Sequence, residues 1–379
     1  MIYLDSSATS PVHEEVLEAM LPYLREEYGN PSSKYYLLAD NAKKAVELAR
    51  EKVAQLLGCE ADEVIFTSGS TESNNMILKG ILDYIGPTDN QHDSPSIVTS
   101  VVEHPSVLET CRYLESKNIF VKYLPTDQYG RIVMDDIKKE LDEKKYKLVS
   151  VIWGNNELGS LNNIESVAKL CHEKNIFFHT DATQVVGKIP IHLKLNPGIR
   201  FLSLSAHKMS GPKGVGACFI RKETNEIYTK WPPLLHGGGQ ENNYRSGTLA
   251  VHNIVGLGKA AELAKKNLDR NSSLLSELES YFIQILKNKF KDLIKINNDV
   301  QKKIPGVLSI QFIGINNELL IKKLSPYVAC SSGSACSSAK PSHVLSAVGL
   351  SLDEIRQTIR FSLHPGITKD DLDFFQQLN

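Results

Sequence analysis

The sequence predicts an α/β fold in which a mostly parallel sheet lies between layers of helices, followed by a smaller α+β domain. From about residue 12 to residue 257, helical patterns alternate with short apolar runs, as in successive βαβ units. After residue 257, candidate strands and helices follow one another without that alternation. We therefore expect a large domain over 12–257 and a small domain formed by 1–11 and 258–379.

Each element of the large domain is predicted from its own pattern. The clearest helix covers Ala39–Leu57 and ends at Gly58, with an apolar stripe formed by Ala45, Leu48, Ala49, Val53 and Leu56. Six short apolar runs are predicted to be strands: Val64–Phe66, Ser96–Val98, Leu148–Ile152, Ile176–Phe178, Phe201–Leu204 and Val215–Ile220.

A helical stretch over Ile254–Phe290 is predicted to leave the large domain and begin the small one. Its strands are predicted over Val307–Phe312 and Ile359–Leu363, and its other helices over Glu318–Leu324, Ser342–Val348 and Lys369–Gln377.

The composition excludes several classes of partner. The 379 residues include 43 Lys and Arg against 44 Asp and Glu, so a broad basic surface for nucleic acid or anionic membranes is not expected. No uncharged apolar stretch reaches the ~18 residues of a membrane span. The six cysteines form no C-x-x-C pair, and no Lys or Arg precedes Arg25, unlike a targeting peptide. We expect a cytoplasmic protein with free thiols.

Ligands of open parallel sheets bind beyond the carboxyl ends of the strands. Four predicted strands are followed there by polar segments: Thr67–Glu72, Trp153–Glu157, His179–Gln184 and Ser205–Lys208. The first is a Gly/Ser/Thr turn running into a helix. Such a turn can bind a phosphate with its free N–H groups, or its hydroxyls can simply cap the helix.

Lys208 and Asp181 end two successive predicted strands, one crossover apart. A lysine at a strand end can lose its charge by desolvation and become a nucleophile. A lysine facing an aspartate is the arrangement that pyridoxal phosphate requires, because the carboxylate keeps the ring nitrogen protonated. A structural ion pair between the two side chains is the alternative.

Cys336 is the best candidate for a nucleophilic thiol. It lies in a run of small residues, Cys330–Pro341, that matches neither a helix nor a strand and is expected to be a mobile loop. Cys330 adjoins a predicted strand end and is expected to be packed. The remaining cysteines are expected to be buried and inert: Cys59, Cys111, Cys171 and Cys218.

Ordered motifs along nearly the whole chain resemble those of the NifS/IscS-like cysteine desulfurases, which are fold-type I pyridoxal-phosphate enzymes. The motifs are Tyr3–Asp5, Ala8-Thr9, Tyr28–Ser33, Phe66–Asn74, Glu103-His104, Asn155–Glu157, His179–Gln184, Ser205–Lys208, Gly237–Glu241, Arg245–Thr248, Ser331–Cys336 and Ile359–Ser362. The resemblance implies a seven-stranded sheet and a homodimer.

The resemblance also assigns roles to individual residues. It implies that Lys208 binds the cofactor covalently, that Asp181 pairs with the ring nitrogen and that His104 stacks on the ring and assists proton transfer. A helix-capping role for His104 is the alternative. The other implied cofactor contacts are Gln184 to the ring hydroxyl, and Ser70, Thr71, Ser205, His207 and the other subunit's Thr248 to the phosphate. The implied substrate-carboxylate contacts are Asn30, Asn156, which is also counted with the cofactor site, and Arg360.

The implied reaction converts L-cysteine to L-alanine and leaves the sulfur on Cys336 as a persulfide. An acceptor protein then takes the sulfur, for iron–sulfur cluster assembly, tRNA thiolation or DNA phosphorothioation. Two segments, Pro341–Leu345 and Leu363–Gly366, look closer to the DndA branch, which serves the last of these pathways. A cysteine or selenocysteine lyase or an aminotransferase is the alternative enzyme. A non-catalytic sulfur-relay protein is the alternative outside enzymes.

Overall fold

The computed structural model describes residues 1–85, 96–223, 229–299, 301–333 and 341–377. Its strands are β1 (Ile2–Tyr3), β2 (Val64–Thr67), β3 (Ser96–Ser100), β4 (Phe120–Leu124), β5 (Leu148–Ile152), β6 (Phe177–Asp181), β7 (Phe201–Ser205), β8 (Gly216–Ile220), β9 (Ile294–Ile296), β10 (Val307–Phe312), β11 (Val328–Ala329) and β12 (Thr358–Ser362).

The α-helices of the same ranges are α1 (Glu14–Arg25), α2 (Leu37–Leu57), α3 (Ser70–Ile85), α4 (Pro105–Glu115), α5 (Met134–Glu143), α6 (Ile164–Glu173), α7 (Val251–Lys266), α8 (Leu268–Phe290), α9 (Asn317–Leu324), α10 (His343–Ala347), α11 (Leu352–Ile355) and α12 (Lys369–Asp373). Within these ranges, we find no helix with the length and apolar character needed to cross a bilayer.

The large sheet has seven strands in the order β2-β8-β7-β6-β5-β3-β4. Strands β3 to β7 pair in parallel, whereas β8 runs antiparallel to both β7 and β2. The prediction of a mostly parallel sheet is therefore confirmed. The sequence analysis missed β4, because this edge strand is only partly buried and includes Lys122 among its apolar residues.

Helices cover both faces of this sheet. On one face, Ala49 and Val53 of α2 pack with Leu257 of α7. On the other face, Ile77 of α3 and Cys111 of α4 form a second core. The helix predicted over Ala39–Leu57 is confirmed and ends at Gly58 with a left-handed φ of 65°. Its predicted stripe was wrong in one member, since Leu48 is 53% exposed at the margin of the buried face.

A smaller core lies against two further sheets. Strand β10 pairs antiparallel with β9 and β12, and β1 pairs in parallel with β11. Leu4, directly after β1, packs with Phe282 of α8 and Phe361 of β12. The first residues of the chain thus share a core with residues beyond 275. The division at residues 12 and 257 stays a prediction.

The helical stretch predicted over Ile254–Phe290 consists of two helices that meet at Asn267. The side chain of Asn267 donates to Leu263 O at 3.0 Å, and its backbone leaves helical geometry at ψ 9°. An asparagine that binds the backbone in this way competes with helix continuation. The last predicted helix also ends early, at Asp373, and continues as a 3₁₀ turn over Phe374–Gln376.

Candidate active site

The Gly/Ser/Thr turn after β2 lies against the end of β7. Ser70, the first residue of α3, donates through its backbone N–H to Ser205 Oγ at 2.7 Å, and the two hydroxyl oxygens are 2.9 Å apart. Gly216 of β8 makes this approach possible, because a Cβ there would lie 2.6 Å from Gly69 Cα. Thr71 is exposed in the first turn of α3. The turn therefore presents hydroxyls and a helix N-terminus at one sheet edge.

Lys208 follows β7 in a 3₁₀ turn, and Asp181 ends the neighbouring strand β6. The alternative ion pair is absent, since among the described residues neither side chain has an ion-pair partner within 4 Å. Lys208 Nζ instead donates to the carbonyl oxygens of Ser7 and Ala8, each at 2.6 Å. Burial and the nearby charge of Arg360 lower the pKa of Lys208 to about 8. At pH 7 about a tenth of the amine is therefore uncharged, far more than for a lysine with an ordinary pKa.

Gln184 shares an acceptor with Lys208. Its Nε2 donates to Ser7 O at 2.9 Å, and its Oε1 accepts from Lys188 Nζ at 3.2 Å. Burial, together with the charges of Lys208 and Arg360, lowers the pKa of Lys188 to about 7. Two side chains, Lys208 and Gln184, thus converge on the segment after β1, and Lys188 contacts the second of them.

Asp181 is 3% exposed and held by three donors. Its Oδ1 accepts from the backbone N–H and the hydroxyl of Thr183, at 3.0 and 2.5 Å. Its Oδ2 accepts from Asn74 Nδ2 at 2.8 Å. These contacts fix the orientation of the carboxylate at the strand end.

His104 caps α4. Its Nδ1 accepts from the backbone N–H of Ser106 at 3.1 Å and lies 2.8 Å from Ser106 Oγ. Burial is the main reason why the pKa of His104 is lowered. Because capping uses only Nδ1, the capping alternative and a role for the rest of the ring do not exclude each other.

Arg360 lies on β12 and is 5% exposed. Its Nη1 donates to Asn156 O at 3.0 Å, and its Nη2 donates to Asp5 Oδ1 at 2.7 Å. Two of the three residues predicted to bind a substrate carboxylate are therefore in contact, but the contact uses the backbone of Asn156. Asp5 is a partner that sequence reasoning missed, although it belongs to the Tyr3–Asp5 motif.

The other predicted site residues have partners of their own or are exposed. Asn30 makes its side-chain bond within its own turn, accepting from Ser32 N at 2.9 Å. Thr248 is exposed. His207 Nδ1 is 3.1 Å from Thr9 Oγ1, and burial with the charge of Lys208 lowers the pKa of this histidine to about 4.

Cys336 lies outside the described residues, but the residues on both sides of that gap are anchored near Arg360. Ser331 and Arg360 exchange backbone hydrogen bonds of 2.6 and 3.2 Å. Ser342 Oγ donates to Glu157 Oε2 at 2.5 Å, and Gly333 packs against the same carboxylate. Cys330 is partly buried, and burial raises the pKa of its thiol to about 12.

Two loop segments singled out in the sequence, Gly237–Glu241 and Arg245–Thr248, have structural partners. Glu241 accepts from Arg50 Nη1 and Nη2, both at 2.8 Å, and from Phe66 N at 2.7 Å, which ties the Gly237–Glu241 loop to β2. Arg245 donates through Nε to Glu72 Oε1 at 2.8 Å. These contacts position the loop that carries Thr248 beside the start of α3.

The comparisons with known proteins agree with this geometry. The model of the class-V aminotransferase family matches residues 2–375. The cysteine desulfurase IscS of Dictyoglomus turgidum is 43% identical over 376 residues, covering 98% of this chain and 92% of that protein. The chain belongs to the class-V aminotransferase family. Its similarity to the NifS/IscS-like members confirms the resemblance seen in the sequence motifs.

Solved structures of this family have the same fold. A NifS-like protein superposes with a TM-score of 0.89 at 36% identity, covering 99% of this chain and 97% of its own. DndA from Streptomyces lividans superposes with a TM-score of 0.80 at 33% identity, covering 96% of this chain and 100% of its own. The fold-type I prediction, the enzyme class and the dependence on pyridoxal phosphate are confirmed.

The strand-end residues fit pyridoxal phosphate chemically. A phosphate needs hydrogen-bond donors such as those at the start of α3. A protonated ring nitrogen needs a carboxylate, and Asp181 carries one without a cationic partner within 4 Å among the described residues. An aldehyde carbon needs an amine, and Lys208 faces only backbone carbonyls there. The phosphate, the ring nitrogen and the aldehyde carbon of the cofactor would therefore each have a chemically suitable partner among these residues.

Proposed function

We propose that this chain converts L-cysteine to L-alanine and that Cys336 takes the sulfur as a persulfide. The observation that carries the proposal is the position of Lys208, a partly buried amine with a lowered pKa that follows β7, the strand next to the one that Asp181 ends. Pyridoxal phosphate, when bound, supplies an electron sink for the pair left when the substrate's Cα–H bond breaks. The residues that would hold this cofactor are Ser70, Thr71, Ser205, His207, Asp181, Gln184 and Lys208.

The chain's own residues would carry the proton and orient the substrate. Arg360 binds the substrate carboxylate through its guanidinium, with Asn156 and Asn30 as further contacts. Lys208 Nζ accepts the α-proton, for which its lowered pKa suits it at neutral pH. Asp181, held by Thr183 and Asn74, keeps its carboxylate oriented throughout.

Sulfur transfer would follow at Cys336. Its thiolate attacks the substrate Sγ, forming an S–S bond as the Cβ–S bond breaks, and Cβ takes a proton. The balance is cysteine plus enzyme thiol giving alanine plus enzyme persulfide. Ser331 and Ser342, which lie on either side of the segment that holds Cys336, contact Arg360 and Glu157, and these contacts support the proposal.

An isotope experiment tests this function. The enzyme is incubated with ³⁴S-labelled cysteine, alanine is measured, and the labelled persulfide is mapped by mass spectrometry. Cys336→Ala is expected to abolish alanine formation, whereas the matched control Cys330→Ala keeps it. A lyase or aminotransferase would keep turnover in Cys336→Ala, and a sulfur-relay protein would form no alanine at all. Label on any cysteine other than Cys336 contradicts the proposal.

We further propose a cytoplasmic homodimer that hands its sulfur to an acceptor protein. The exposure of Thr248 supports a phosphate contact supplied across a subunit interface. Iron–sulfur assembly, tRNA thiolation and DNA phosphorothioation proteins are the acceptor classes. Mixing inactive Lys208→Ala with inactive Thr248→Val subunits should restore one native site per mixed dimer. An activity that never returns on mixing would contradict the shared site.

A further inference from the structure

Asn74 lies between Asp181 and His104, although it belongs to neither loop. It is fully buried on α3, one turn after Ser70. Its Nδ2 donates to Asp181 Oδ2 at 2.8 Å and to Ser106 Oγ at 2.9 Å. The side-chain amide therefore uses both of its N–H groups on two different elements.

The carboxylate of Asp181 determines which of its two orientations the side-chain amide of Asn74 adopts. With the amide reversed, Asn74 Oδ1 would face Asp181 Oδ2, and two acceptors would meet without a proton between them. The observed orientation instead leaves Asn74 Oδ1 buried with no hydrogen-bond partner among the described residues. An unpaired buried oxygen is costly, so this arrangement persists because the two N–H contacts outweigh it.

The direction of the Ser106 hydroxyl follows from its two neighbours. The backbone N–H of Ser106 donates to His104 Nδ1 at 3.1 Å, so this nitrogen accepts and carries no proton of its own. Ser106 Oγ accepts from Asn74 and lies 2.8 Å from the same nitrogen, so its own hydrogen points to Nδ1. His104 Nδ1 therefore faces two donors and holds a lone pair.

We infer that Asn74 and Ser106 are positioning residues that fix neutral His104 as the Nε2–H tautomer, so that its ring donates a hydrogen bond at the active site and does not accept a proton there. The inference narrows the role in proton transfer that the resemblance implies for His104, and it rests on the proposed function only where the reaction is concerned. A neutral imidazole protonated at Nε2 has its only basic nitrogen at Nδ1, which is already occupied.

The charged groups around His104 are compatible with a neutral ring. Lys208 and His343 oppose its protonation, and Asp181 favours it. His343 lies beside the ring on α10, where its Nε2 is 2.9 Å from Glu103 O. Glu103 itself is buried, and burial raises the pKa of its carboxyl to about 8. The hydrogen bond from Ser106 adds to the groups that favour the neutral form.

Nuclear magnetic resonance of the holoenzyme, labelled with ¹⁵N in its 11 histidines, tests the inference. Long-range ¹H–¹⁵N correlations distinguish the two neutral tautomers, and comparison with His104→Gln assigns the signal. The wild-type protein is expected to carry the proton on Nε2. A proton on Nδ1, or a charged ring at pH 7, overturns the inference even if cysteine is desulfurated. Absence of desulfuration with an Nε2 proton sinks only the proposed function.

Variants extend the test. Ser106→Ala removes one donor to Nδ1 and is expected to move the titration of His104 upward by about one pH unit. Asn74→Asp gives the Ser106 hydroxyl a competing acceptor and should also move the titration of His104 upward. Thr110→Val is the matched control on α4, because its hydroxyl donates to Ser106 O and not to the ring. Unchanged titration in folded Ser106→Ala and Asn74→Asp proteins would contradict the network.

Discussion

Asp5 Oδ1 accepts a hydrogen bond from Arg360 Nη2 at 2.7 Å, so the guanidinium proposed to bind substrate already holds a carboxylate of its own chain. The two residues lie at opposite ends of the sequence and meet because Asp5 pairs with β12 through a bridge to Ser362. A substrate carboxylate must therefore share the fork of Arg360 with Asp5. This contact keeps a nearly buried cation paired before substrate arrives.

Arg360→Lys is expected to raise KM for cysteine by about 30-fold, with a smaller effect on kcat. Lysine keeps the charge but loses the planar fork, and a hydrogen bond to a charged group contributes about 2 kcal/mol. Steady-state kinetics with alanine detection measures the change. Arg356→Lys, an exposed arginine nearby, is the control and should keep the wild-type KM. An unchanged KM in folded Arg360→Lys protein would place the carboxylate elsewhere.

Covalent capture of pyridoxal phosphate by cofactor-free protein is expected to speed up with rising pH, with a midpoint near pH 8. The pKa of Lys208 is lowered to about 8 by burial and by Arg360, so the reactive amine is mostly an ammonium below that pH and free above it. Borohydride trapping followed by peptide mapping gives the rate.

Asp5→Asn provides a directional control for this titration. Asp5 raises the pKa of Lys208, so its neutralisation should move the midpoint to lower pH. A midpoint above pH 10, as for an exposed lysine, would contradict the proposed environment of this amine.

Glu241→Gln is expected to lower the free energy of unfolding by about 3 kcal/mol. The substitution leaves the guanidinium of Arg50 largely buried without its carboxylate, which is among the more costly single changes. Urea denaturation measures the loss. Glu47→Gln removes the other carboxylate near Arg50, but that side chain is 53% exposed, so its cost should stay below about 1 kcal/mol. Equal effects of the two variants would be inconsistent with the burial difference.

Gly216→Ala is expected to weaken pyridoxal phosphate binding by at least about tenfold. The added Cβ would lie 2.3 Å from Leu204 O and 2.6 Å from Gly69 Cα, so the turn before Ser70 must move away from Ser205. Loss of one contact to a charged phosphate has about this effect. Fluorescence titration of cofactor-free protein gives the affinity, and thermal melting of the same sample reports the fold. Wild-type affinity would show that the turn does not bind the phosphate.

The sequence predicted those parts of the fold and site that depend on local pattern. Lys208 and Asp181 were found because each follows an apolar strand, and the crossover between them implies adjacent strands. Asn74 ends the Phe66–Asn74 motif but received no predicted role, and Ser106 was not found, because nothing local shows that Asn74 contacts Asp181, 107 residues away. Polar partners of this kind depend on how helices pack. The break at Asn267 likewise depends on a side-chain contact that periodicity does not reveal.

The antiparallel strand β8 also decides when the site can assemble during synthesis. Strand β2 pairs only with β8 among the described strands, in the register Val64 with Phe219. The turn before Ser70 has therefore no sheet to join until about 150 further residues have left the ribosome. Contacts so distant in sequence form slowly, because the chain loses much entropy before it gains them. The proposed cofactor site therefore forms late in folding. A nascent chain shorter than about 220 residues lacks the complete strand β8 with which β2 pairs.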